Sequence, residues 1–129
     1  MIALAALAVV LLGAAWLAVV GMVCLLTPER ARVALAHMGS NWRVQLGEHI
    51  PRAIVGWAMV LHAPLSKAPA VLEIAGWFIL ASSILILLVP MRWHNAYAVW
   101  WAQRIPLAAY RVLAMPTVGM GALLAYAAL

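Results

Sequence analysis

The chain is short of the residues that most chemistry needs. It holds one cysteine, Cys24, and three carboxylates in 129 residues. One cysteine excludes an intrachain disulfide and a thiolate metal cage. Cys24 sits in an apolar run, where a thiol acts as a small hydrophobe. The carboxylates Glu29, Glu48 and Glu73 are widely spaced, which leaves little material for paired acid–base catalysis. None of the serines (Ser40, Ser66, Ser82 and Ser83) lies in G-x-S-x-G. H-E-x-x-H, C-x-x-C-H and a phosphate-cradling glycine loop are all missing, so no metal site is expected.

Charge is scarce as well. Charged residues make up 9% of the chain and hydrophobic ones 69%, where soluble domains are roughly half apolar. A water-soluble fold of this length cannot bury so much apolar surface. The sequence therefore reads as a single integral-membrane domain over residues 1–129. The net charge of +5 does not indicate nucleic acid, because the basic residues flank apolar runs and form no separate patch. Arg30, Arg32, Arg43 and Arg52 follow the first run and Arg92, Arg104 and Arg111 the third. Lys67 alone lies between the second and third. By the positive-inside rule, the two arginine-bearing connectors face the cytoplasm. Both termini then face outward, which is the periplasmic side if the membrane is a bacterial inner membrane.

A membrane-crossing helix needs roughly 20 apolar residues. Ile2–Leu26 meets this without a charge. It has no basic n-region and is too long for a signal peptide, so a retained span is expected. Thr27-Pro28-Glu29 reads as an N-cap, a first-turn proline and an acid at the positive helix end. The short helix that follows should stop at Gly39, with Ser40 and Asn41 offering the next cap. Asn41–His62 is the poorest span, with Arg43, Gln45, Glu48, His49 and Arg52 in its first part. A re-entrant or interfacial segment is the other reading of it. Pro64 and Pro69 bracket a turn. Val71–Val89 and Pro106–Leu129 are the third and fourth spans, and Pro116 should kink the last. Met91–Arg104 is amphipathic: Trp93, Tyr97, Trp100 and Trp101 recur at i, i+4, i+7, i+8, which suits anchors in the head-group layer.

The expected fold is an all-α membrane protein with four transmembrane helices. They form two parallel-repeat hairpins, about 1–63 and 71–129, with amphipathic interfacial helices in the first and third loops. Thr27-Pro28-Glu29-Arg30 matches Val89-Pro90-Met91-Arg92, and Arg52 roughly matches Arg111. Two spans per half would give both halves the same orientation. The second half, from Ile74 to Leu129, carries Pro90-x-x-Trp93, then Pro106, Arg111, Gly121 and Tyr126. In this it resembles the small two-helix YjeT-like inner-membrane family. The resemblance implies a hairpin plan and no catalytic residue.

Glu48, His49 and Arg52 are the best candidates for a polar site. Glu48 and Arg52 are i, i+4 neighbours able to pair, and Arg111 from the fourth helix is a further candidate member. Such a group could relay protons, hold an anion, or simply anchor helix depth. His49 with His94 is the one pair able to offer bis-histidine haem ligation. Ala58-x-x-x-His62 resembles the chlorophyll-ligand pattern of light-harvesting helices, and a solvated helix-end histidine is the plainer reading. No cofactor is required, and haem or chlorophyll stays open as a ligand. Ala14, Ala18 and Gly21 on the first span, and Gly121 and Ala125 on the fourth, allow close helix approach. Taken together, the expectation is a non-catalytic accessory or scaffold subunit packing against a larger membrane complex. Two alternatives stand beside it: a small oligomeric transporter or channel, and a lipid-, quinone-, haem- or pigment-binding subunit.

Overall fold

The computed structural model describes residues 1–129 and contains helices and turns only. Helix α1 spans Ile2–Leu26, α2 Pro28–His37, α3 Trp42–His62, α4 Pro69–Leu88, α5 Met91–Arg104 and α6 Leu107–Ala128. A 3-10 turn, Ala63–Leu65, joins α3 to α4. By length and composition, α1, α4 and α6 are each able to cross a membrane. With 21 residues, α3 is as long, about 31 Å at 1.5 Å per residue, but its first half is too polar to meet the same standard. It is one continuous helix running antiparallel to α4, not a re-entrant loop.

Local chemistry explains the breaks. Asn41 caps α3, its Oδ1 accepting from Val44 N at 3.0 Å. Thr27 does not cap α2 as expected. Its hydroxyl donates back to Val23 O at 3.1 Å, because the carbonyls at the end of α1 also need donors. Between α2 and α3 the chain turns at Gly39, the one residue with positive φ (69°).

The long helices alternate in direction, so both connectors lie at one end and both termini at the other. At the terminal end Ala6, Val10, Ala58, Met59, Ala63, Leu72 and Ala128 form the apolar core. Here Lys67 N donates to Ala127 O at 2.8 Å, satisfying a carbonyl in the last turn of α6. At the connector end α2 packs on α5. Asn95 Nδ2 donates to Ala36 O (3.1 Å) and Met38 O (2.8 Å), which caps the end of α2.

Pairing of the long helices differs from two self-contained hairpins. α1 packs chiefly on α6 and α3 on α4, with a smaller α1–α3 contact, while α4 and α6 hardly approach. Steric fit accounts for the choice. A Cβ at Gly121 would lie 2.7 Å from Ala14 O, and Gly21 lies against Ala114 and Val118. Between α3 and α4, a Cβ at Gly76 would lie 2.7 Å from Gly56 O and 3.0 Å from Met59 Cβ. Lipid is as apolar as a neighbouring helix, so close backbone approach decides which helices associate. The register that aligns Pro28 with Pro90 also aligns Ala14 with Gly76 and Met59 with Gly121. The α1–α6 and α4–α3 contacts therefore exchange when the halves are exchanged.

Candidate functional site

The connector end holds a compact polar cluster contributed by α3, α4 and α5. At its centre is Gln45, the largest side chain with no exposure at all. Its Nε2 donates to Ile86 O at 3.2 Å, and its Oε1 faces His94 Nδ1 at 2.8 Å. Because the amide nitrogen is committed to a carbonyl, the amide oxygen must accept, and His94 carries its proton on Nδ1. One side chain thus fixes three helices and a tautomer. Burial pushes the His94 imidazole below its usual range. The ring also fills the space over the turn, where a Cβ at Gly39 would come within 2.8 Å of Nδ1.

His49 lies beside His94, with ring centroids 5.4 Å apart and planes tilted by 51°. It is 5% exposed, and neither ring nitrogen has a hydrogen-bond partner. Glu48 Oε2, also buried and unpartnered, stands 3.9 Å from His49 Nε2, beyond hydrogen-bond reach. Buried polar atoms left unpaired are costly, so this group stands out in an apolar bundle. Pro51 adds to it by removing the amide that would bond the Gly47 carbonyl.

Other expected members are placed differently. Arg52 does not pair with Glu48. Its Nη2 donates to Ser82 Oγ at 2.9 Å, because α4 packs on that side and offers a hydroxyl at the right depth. Ser82 in turn donates to Ile79 O at 3.1 Å, and Ser83 does so at 2.7 Å. Arg111 is exposed on α6, which packs on α1 and α2, so it does not join Arg52. His62 lies at the far end and is not solvated. It is 4% exposed, and its Nε2 donates to Ala128 O at 2.8 Å, tying down the end of α6.

The His49–His94 pair is brought together, but as packed neighbours: His94 Nδ1 is bound to Gln45, and a haem between the rings would need them pushed apart. No three His, Cys or Glu side chains converge as metal ligands. Trp93, Tyr97, Trp100 and Trp101 are all exposed on α5, whose opposite face buries Ala98 and Ala102. Ala18 and Ala125 are half-buried on α1 and α6.

No family model, curated protein or solved structure matches this chain.

The residue that sequence reasoning undervalued is Gln45. A lone glutamine one turn after a helix cap looks like a solvated polar residue. A usable signal was its position one turn ahead of His49, on the same helical face.

Proposed function

We propose that this protein is a non-catalytic four-span subunit of the bacterial inner membrane that works packed against a larger membrane complex. α3 serves as the fourth span, and α2 and α5 lie on the cytoplasmic side. The exchange of contacts between halves supports a parallel repeat.

The observation that carries the reading is the pair Gly47 and Gly119. Both lie inside long helices, and a methyl group at either would meet no neighbouring atom within 4 Å. Glycine inside a helix costs about 0.5–1 kcal/mol relative to alanine. Nothing within the chain repays that here, whereas a partner helix approaching closely would. Extraction in mild detergent followed by native electrophoresis tests the idea. The protein should migrate with a larger assembly, and Gly119→Leu should release it. A chain that runs as a monomer with or without the substitution would refute the proposal.

A second reading, favoured by unpartnered His49, is a subunit that binds a lipid head group, quinone, haem or pigment at the connector end. It predicts a bound chromophore or quinone that His49→Ala loses. The transporter reading has less support, since the polar groups of the connector end stop near Ser82, and apolar Ala58 and Met59 separate them from buried His62 at the far end.

A further inference from the structure

We infer that the outward face of α5 is a docking surface for the head groups of anionic phospholipids. One face of this helix is already occupied: Ala98 and Ala102 are buried, and Asn95 and His94 are hydrogen-bonded to α2 and α3. That docking holds the opposite face in a fixed orientation. The outward face carries Arg92 in the first turn and Arg104 in the last, with aromatic rings between them.

Charge complementarity selects the occupant. Helix α5 contains no carboxylate. The nearest acids at this end are taken or turned away: Glu29 pairs with Arg32 at 3.4 Å, and half-buried Glu48 turns its enclosed Oε2 toward His49. Arg92 and Arg104 therefore face outward with no acid to neutralise them. A guanidinium forms a planar fork suited to phosphate oxygens. Arg104 is partly pre-arranged, because it stacks 4.0 Å over the Trp100 ring and its Nη1 bonds Trp100 O at 3.3 Å. One of its five donors is used, so the rest remain for a ligand.

The groove between the arginines is apolar, formed by Ala96, Tyr97, Trp100 and Trp101. Indole and phenol rings favour the head-group layer, with their N–H and O–H groups as donors beside the glycerol region. Arg92 and Arg104 are separated by about 18 Å of helix, too far for one phosphate to bridge, so each serves its own lipid. A zwitterionic head group brings a cation that these arginines repel. An anionic one does not, and this sets the direction of the selectivity.

The test uses the purified full chain in phosphatidylcholine vesicles with trace spin-labelled lipid, so no partner protein is involved and the subunit proposal stands or falls separately. Electron spin resonance reads the fraction of label held at the protein surface. Labelled phosphatidylglycerol should be retained severalfold over labelled phosphatidylcholine, and added salt should shrink the preference. Arg92→Gln with Arg104→Gln should bring it to near parity, since each surface arginine is worth about fivefold. Arg30→Gln with Arg43→Gln, on α2 and α3, should leave most of it. Equal retention of both labels by the unmodified chain would overturn the inference. So would a preference that survives loss of Arg92 and Arg104 and vanishes with Arg30 and Arg43.

Discussion

Replacing Gln45 by leucine measures what the buried amide does. The substitution removes an acceptor from His94 Nδ1 and a donor from Ile86 O. The carbonyl suffers less, because Val89 N also reaches it at 3.2 Å. The imidazole N–H is left without a partner, which costs about 1–3 kcal/mol. His94 is only half-buried, so the lower end applies, about 1–1.5 kcal/mol. His94→Phe does the reverse: it orphans the Gln45 oxygen at a site with no exposure, and about 2 kcal/mol is expected. The double variant removes both partners and should be less destabilised than the sum of the singles. The cycle should therefore return a coupling of about 1–2 kcal/mol. Unfolding of bicelle-embedded protein by sodium dodecyl sulfate, followed by tryptophan fluorescence, gives the four free energies. Additive effects, with coupling below about 0.5 kcal/mol, would refute the view that this bond holds α5 to α3.

Acid should loosen the same junction. His94 is held below its usual range in the folded state, so the unfolded chain takes up the proton first. Stability is then complete above about pH 6.5 and declines as pH falls below it. Glu48, His49 and Arg52 are the other ionisable groups at the junction, and His94→Phe should flatten the slope in the same unfolding assay. Gly76→Val should cost about 3 kcal/mol, because its Cβ meets the Gly56 carbonyl and Met59 Cβ, neither of which can rotate away. Gly119→Ala, with open space around it, should stabilise the isolated chain by about 0.5–1 kcal/mol while weakening any assembly. His62→Phe should free the Ala128 carbonyl, seen as faster amide exchange at the end of α6 and at Lys67, with little change at Gln45.

Much of the fold was legible in the residues. Runs such as Ile2–Leu26 and Val71–Val89 announce their helices through length and apolarity alone. Asn41, Gly39 and Pro90 mark breaks because capping and turn chemistry act over a few residues. The amphipathic α5 was readable from its aromatic spacing. The candidate site was legible only in part. Glu48 and Arg52 have the spacing of a helical ion pair, yet Arg52 bonds Ser82, thirty residues away in sequence. Arg111 looked equivalent to Arg52 but faces outward, since its helix chose α1 as neighbour. His62 looked solvated and instead closes the end of α6. In each case the deciding group belongs to another helix.

What the residues alone determined is a set of oily helices with arginines gathered at one end. Transfer of a side chain between water and hydrocarbon depends on its type and on the length of its run, and both are local. Which helices touch was decided only in three dimensions. Lipid and helix surface are nearly equal in hydrophobicity, so α1 found α6, and α3 found α4, through the fit of glycine against backbone. The hydrogen bonds of buried Gln45 to His94, and of Asn95 to the end of α2, then decided where α5 would dock.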